Sequence, residues 1–424
     1  MAHDTSRRGS SSWRATLIAV CIAQATAIIG FDFTLPFIPL YLQHNLGVHG
    51  LGQTALWAGL IGFGPAIPAT ICGPLWGRLA DRIGYRLMLI RAMICAGVLL
   101  ALMGLAPNPG ILLVLRMAQG ALSGTVFSSQ ALVAASAPEK ETGRAMGLLQ
   151  MSVYFGATIG PVGGGLVAEL EGYRAAFVAA GLLIAAATVV VFLFVREPAQ
   201  RPAQVARAEG RQPSIMSVLA IPAFAAALGL TLIVQLASTA LFPIIPLFVQ
   251  ELLRSTHDVA TATGWVMASS GVAAALGSYL AGRLQRRLGL KPLLLGCVVL
   301  SAALVVPQAF SHTYVAFLLL RSAGSFAFGA LFGLVGIWAA LSSPREAKGT
   351  AFGLMGAASS MGFGAGPLMG GMVTAAAGIR PVFFLSAGLI ALVPLGLLLS
   401  SVVLPALSAS GKRLHPATER EHWD

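Results

Sequence analysis

The sequence predicts an all-α membrane protein of twelve transmembrane helices in two pseudo-symmetric six-helix bundles. Three observations predict it. Of the 424 residues 57% are hydrophobic and only 10% charged, with a mean hydropathy of +0.82, whereas a soluble domain carries roughly 25% charged residues. Apolar runs long enough to cross the hydrocarbon core as helices, about 20 residues each, recur along the whole chain. The chain is also written twice: "PFIPLYLQ" at Pro36–Gln43 returns as "PIIPLFVQ" at Pro243–Gln250, 207 positions later.

Span 1 (15–42) follows the basic stretch "SRRGSSSWR"; it is much longer than a signal-peptide core and has no small-residue cleavage site, so it is expected to be retained. Pro36 and Pro39 interrupt its outer end. Span 2 (54–77), rich in small residues over Gly59–Gly73, leads into "GRLADRIG" at Gly77–Gly84, and span 3 (86–106) leaves it. Span 4 (109–135) carries Arg116, span 5 (142–168) a ladder of glycines, and span 6 (175–196) ends the first copy. The second copy repeats the order. Span 7 (215–249) holds Pro243 and Pro246, and span 8 (259–282) leads into "GRLQRRLG" at Gly282–Gly289. Span 9 (291–311), span 10 (313–341, with Arg321), span 11 (347–375, with the second ladder) and span 12 (380–405) complete it. The longest runs tilt or overhang the bilayer.

The duplication extends well beyond the octapeptide. Arg116 aligns with Arg321 and "GYRAAF" at Gly172 with "GIRPVF" at Gly378. Gly147, Gly156, Gly160, Pro161, Gly164 and Gly165 recur as Gly353, Gly362, Gly366, Pro367, Gly370 and Gly371, offset by 206 at every position. Six spans return the chain to the same side, so the copies are parallel and can pack about an axis along the membrane normal, around a central cavity. The expected domains are a tail (1–14), a first bundle (15–196), a polar linker (197–214), a second bundle (215–405) and a tail (406–424).

With both termini in the cytoplasm, 22 of the 27 basic residues lie in or beside cytoplasmic segments, as positive loops require. The net charge of +12 is therefore a topology signal, and no nucleic-acid partner is needed to explain it. No nucleotide-binding loop appears, so ATP is not the expected energy source. The four cysteines sit in predicted spans without CxxC spacing and the histidines fall in tails or loops. With no cluster of His, Cys and acid in the spans, neither an enzyme nor a metal centre is indicated.

Twelve spans in two halves joined by a basic linker resemble the major facilitator superfamily over nearly the whole chain. "GRLADRIGYRLML" at Gly77–Leu89 resembles that family's loop between helices 2 and 3, "RMAQG" from Arg116 its helix-4 motif, and the ladder from Gly147 the helix-5 motif of its drug/proton antiporter branch. "PFIPLY" and "GPLWGRLADRIG" are similar to the MdtG-like bacterial multidrug exporters. The resemblance implies a secondary transporter of the bacterial inner membrane, exporting drug-like or amphiphilic molecules in exchange for protons. Its partners would be a small-molecule substrate, protons and membrane lipid, and it would act as a monomer with no cofactor beyond the proton gradient. A dedicated exporter or importer of one metabolite or siderophore, or a non-transporting sensor, fits the same fold.

Three constellations carry the chemistry. Glycines at four-residue intervals let helices approach closely in lipid, and Pro161 is expected to kink span 5. If the family geometry holds, span 5 meets span 8 and span 11 meets span 2, forming a small-residue seam that can rock; the plainer reading is packing alone. In the Gly77–Leu89 loop, Gly77 and Gly84 are expected to make tight turns, and Asp81, Arg82 and Arg86 a charge cluster. The resemblance implies that Asp81 latches onto the cytoplasmic end of span 11; the alternative is a loop of topological value only. Tyr85 departs from a basic family position, and Gln285 replaces Asp81 in the second copy, so only the first latch is complete.

The third is charge within the bilayer, a functional hypothesis by default. Asp32 lies roughly 16 Å from the outer end of span 1, near mid-depth, and Arg116 roughly 10 Å from the outer end of span 4, so an arginine side chain can bridge them. Asp32 reads either as the proton-coupling acid, exchanging its proton as the cavity opens and closes, or as one half of a static ion pair, or as a residue at a watery edge. Tyr41 and Phe248, near the span ends, read as interfacial anchors, while Gln24, Gln119, Tyr154, Gln235 and Trp265 are candidates to line a cavity.

Overall fold

The computed structural model describes residues 5–138, 141–197, 216, 219–254, 258–342 and 348–393. Most of the linker expected at 197–214, and the tail expected at 406–424, lie outside these residues. Twelve helical units follow in order. The first half contains α1 (Thr5–Asp32, then Ile38–Asn45 beyond a break), α2 (Leu51–Phe63 and Ala66–Ile83), α3 (Tyr85–Gly104), α4 (Pro109–Leu122 and Thr125–Ser136), α5 (Thr142–Glu171) and α6 (Tyr173–Phe194). The second contains α7 (Pro222–Ala240 and Ile244–Leu253), α8 (Val259–Leu288), α9 (Leu290–Val305, extended by a 3-10 turn at Val306–Phe310), α10 (Tyr314–Ser342), α11 (Lys348–Ala377) and α12 (Arg380–Ala391).

Among the described residues nine helices are long and apolar enough to cross a membrane. Of the other three, α4 and α12 are shorter apolar helices, α4 because it breaks at Ser123 and Gly124. The apolarity of α11 is diluted by its glycines and Pro367.

The breaks follow from proline chemistry. Pro36 has no amide to donate to the carbonyl of Asp32, four residues back, and α1 stops at Asp32. Pro243 stands in the same relation to Thr239, and α7 stops at Ala240. By contrast α5 and α11 continue as single helices through Pro161 and Pro367. Gly84, Gly172 and Gly289 are each the single residue between consecutive helices, at φ of 112°, 87° and 85°, a region that side chains disfavour. Gly77, expected in a tight turn, is instead helical, because α2 continues to Ile83 and the whole reversal is made at Gly84.

Packing reproduces the duplication. Within the first half α1 packs on α5 and α6, and α3 on α6; within the second α7 packs on α11 and α12, and α9 on α12. Tyr41 and Phe248 are buried core residues and not interfacial anchors. The Tyr41 hydroxyl donates to the Met103 and Gly104 carbonyls at 3.0 and 3.2 Å, at the end of α3, and its ring lies 4.9 Å from that of Phe177. Phe248 repeats the arrangement against Phe383 at 5.3 Å, without the hydroxyl.

Candidate functional site: the seam and its cavity

The halves meet along two lines, α5 with α8 and α2 with α11. The ladder supplies both lines, and it also supplies a second set of contacts inside each half. One face of α5 lies on α1: a Cβ built at Gly156 would stand 2.6 Å from the Ala25 carbonyl oxygen, one at Gly160 2.9 Å from that of Ile29, and one at Gly164 would overlap the Phe33 carbonyl. The adjoining face lies on α8, where a Cβ at Gly165 would stand 2.6 Å from the Ala260 carbonyl oxygen, and one at Gly264 2.5 Å from that of Pro161. The second half follows suit. Gly362, Gly366 and Gly370 face α7, Gly371 faces Ala55 of α2, and a Cβ at Gly59 would stand 2.7 Å from the Pro367 carbonyl oxygen. Helices therefore touch backbone to backbone, as small residues permit in lipid. Gly147 is not part of this packing, since nothing lies within 4 Å of a Cβ built there. The surroundings of Gly353 lie outside the described residues.

These contacts occupy only one end of the seam. Along α5 they run from Glu169, which accepts a hydrogen bond from the Asp258 amide at 2.6 Å, to Thr158, which faces Gly271. The same faces continue toward the Arg-rich loops as Met151 and Tyr154 on α5, Tyr279 on α8, Gly73 on α2 and Ser360 on α11, all exposed. The bundles part at that end.

Between them lies a cavity of about 330 Å³, lined by Phe31 of α1, Ala66 and Ala69 of α2, Arg116, Gln119 and Ser123 of α4, Gln235 of α7, and Ser359, Ser360 and Phe363 of α11. Beyond Arg116 it narrows to a pocket of about 30 Å³, closed by Pro39 and Pro243 at the two helix breaks. Of the five cavity candidates named above, Gln119 and Gln235 line it. Gln24 is buried and accepts from the Ser129 hydroxyl at 2.7 Å, while Tyr154 and Trp265 are half exposed.

Asp32 and Arg116 are not paired. Arg116, 6% exposed, donates from Nε to the Ile61 carbonyl at 3.4 Å and from Nη1 to Gln119 Oε1. Asp32 stands at the α1 break with its Cβ against Gly160 of α5, and no ion pair or hydrogen bond to its carboxyl occurs among the described residues. The two do not form an ion pair in this structure, in which α4 turns Arg116 toward α2. That leaves Nε2 of Gln119 buried without a partner beside the cavity. Arg321 sits on α10, a helix packed on α8 and α9, and its Nε is likewise buried without a partner.

At the Arg-rich end the side chain of Asp81 lies outside the described residues, as does the start of α11 at the side-chain level. Arg82 is exposed. Arg86 donates from Nη2 to the Phe192 carbonyl at 2.6 Å, satisfying an acceptor in the last turn of α6. The acid that holds this loop is Glu197: its carboxylate accepts from the Tyr85 and Arg86 amides, both at 2.8 Å, and so caps α3. Sequence reasoning passed over Glu197 as the start of the linker; its position immediately beyond span 6 was the only available signal.

The Major Facilitator Superfamily profile matches residues 20–256 and again 227–422. The chain belongs to the major facilitator superfamily. Among superfamily members, the multidrug resistance protein MdtG of Escherichia coli (strain K12 / DH10B) is 32% identical over 381 residues, covering 89% of this chain and 92% of the relative. A bacterial homologue of the human lysosomal transporter Spinster, in an inward-facing and occupied conformation, superposes with a TM-score of 0.74 at 17% identity, covering 91% of this chain and 96% of its own. The human organic anion transporter MFSD10 (TETRAN) gives 0.64 at 19%, covering 91% and 99%. At these identities the two structures show the shared fold alone. This superfamily member is accordingly a multi-pass membrane transporter and not an enzyme.

Proposed function

We propose that the chain is a proton-coupled antiporter of the bacterial inner membrane that exports drug-like or amphiphilic small molecules by alternating access. The observation that carries this reading is a cavity on the seam between two parallel copies, closed at one end by backbone contacts and open at the other. The 32% identity to a multidrug resistance protein over most of both chains supports the substrate class. The distribution of Arg and Lys supports placing the open end, both termini and the 197–214 linker in the cytoplasm.

In this reading substrate enters from the cytoplasm and lodges against Arg116, Gln119 and Gln235. Arg116 and the unpartnered Gln119 Nε2 are donors, so neutral or anionic ligands with acceptor groups suit the cavity better than cations. Asp32 exchanges a proton as access alternates, and the small-residue seam rocks with little rearrangement of side chains. The lack of an ion partner for Asp32 among the described residues supports that role, because none of their cations holds it ionised. The work comes from the proton gradient, with no cofactor, in a monomer.

The test is transport in everted vesicles with a compound library and a pH-sensitive dye. Asp32→Asn should abolish proton-driven efflux while leaving substrate binding measurable. Efflux at the parent rate would rule out Asp32 as the coupling acid.

A further inference from the structure

The two halves build one joint from different chemistry. Asp32 of α1 aligns, 207 residues on, with Thr239 of α7. Each sits on the equivalent ladder glycine: a Cβ at Gly160 would lie 2.8 Å from Asp32 Cβ, and one at Gly366 would strike Thr239 Oγ1. Thr239 is 5% exposed, and its hydroxyl is shared between two carbonyls, donating to Gln235 of its own helix at 2.8 Å and to Gly362 of α11 at 2.9 Å, the second contact joining α7 to α11. The counterpart of Gly362 on α5 is Gly156, which is packed on α1 at Ala25 and Ile28. A hydroxyl can always donate to a carbonyl. An ionised carboxylate cannot, since both of its oxygens are acceptors, whereas a neutral carboxyl has one O–H to give.

We propose that the α1–α5 joint is a proton-operated copy of the α7–α11 joint: neutral Asp32 donates to the Gly156 carbonyl, and ionised Asp32 swings off it toward the cavity. The second half is thereby a fixed hinge and the first a switched one. This rests on Asp32 being the coupling acid and adds how its proton becomes a helix movement. One proton is taken up by the carboxylate and released from it, and no other bond changes.

The groups around the joint leave that proton in control. On α4, Arg116 is turned onto Ile61 and Gln119. On α5, Arg144 lies 3.9 Å from Glu141, Glu169 holds the Asp258 amide and Glu171 is exposed. On α6, Tyr173 stacks on His44 with ring centroids 5.4 Å apart, and Arg174 lies beside Tyr41, beyond the break. On α1 itself, Cys21 lies beside Ser152 of α5.

That last pair gives the test. In a protein with Cys72, Cys95 and Cys297 changed to Ser, native Cys21 and Ser152→Cys report the α1–α5 separation by oxidative cross-linking in membranes, read in acid and in alkaline buffer. The same pair in an Asp32→Thr background, the chemistry of the second half, removes the thiols' own pH dependence by division. The normalised rate should rise about fivefold from alkaline to acid, the weight of one net hydrogen bond. In reciprocal fashion Thr239→Asp should make an α7–α11 pair, Thr231→Cys with Met355→Cys, change with pH beyond the thiols' own dependence, read as the ratio to the same pair with Thr239 intact; these residues face each other at 3.5 Å. If Asp32→Thr fails to reach the membrane, Asp32→Asn, whose amide donates at every pH, serves as the divisor. A flat normalised rate, while Asp32→Asn still loses efflux, would overturn this joint and leave the coupling role intact. Parent-rate efflux in Asp32→Asn would remove both.

Discussion

Glu169 on the last turn of α5 accepts a hydrogen bond from the Asp258 amide at 2.6 Å, and Asp258 is the residue that opens α8 in the other half. A carboxylate at a helix N-terminus is favoured by both the free amide and the helix dipole. The bond therefore fastens the closed end of the seam. Its removal by Glu169→Ala should loosen that end. Thiol labelling of Thr261→Cys, beside Gly165, by a membrane-impermeant reagent should speed up about fivefold, the weight of one charge-assisted bond at a partly exposed site. An unchanged rate would assign closure to the glycine contacts alone.

The glycine contacts make a sharper prediction. Gly165→Ala and Gly264→Ala each place a methyl within 2.6 Å of a backbone oxygen of the opposite half, and backbone cannot swing aside as a side chain can. Each should cost about 1–3 kcal/mol as overpacking and abolish transport in protein that still inserts. Gly147→Ala, with open space around it, should transport normally and gain slightly in helix propensity. Vesicle transport and thermal unfolding in detergent separate the two classes; equal loss at all three positions would show that the ladder acts by helix flexibility instead.

Glu197 caps α3 through two backbone amides at the Gly84 turn. Glu197→Ala leaves both amides without their carboxylate and should cost about 1–2 kcal/mol, the usual worth of an N-cap, lowering the Tm by a few degrees. Glu197→Gln, which keeps acceptors but loses the charge, should lie between the two in a melting series.

For Tyr41 the duplicate position already holds the experiment, since Phe248 fills it without a hydroxyl. Tyr41→Phe should cost only about 1 kcal/mol for the bond to the end of α3, with transport intact. Tyr41→Ala should cost about 3–5 kcal/mol by emptying a fully buried site against Phe177. Unfolding midpoints of the two variants check the ordering.

What the sequence determined by itself is what depends on order along the chain. The apolar runs, the repeated octapeptide and ladder, and the interruptions at Pro36 and Pro243 follow from spacing, from proline's missing amide and from the length of helix that a bilayer requires. Rotation about each helix axis was beyond it. A helix that is apolar all round has no polar face to show which neighbour it meets, so the sequence placed Arg116 within reach of Asp32, whereas the fold turns it onto Ile61. The same freedom hid the two faces of the ladder, the burial of Tyr41 and the cross-seam reach of Glu169. Depth is set by bonds along the backbone, but the direction a side chain faces is set by what packs against it, and only the assembled bundle supplies that.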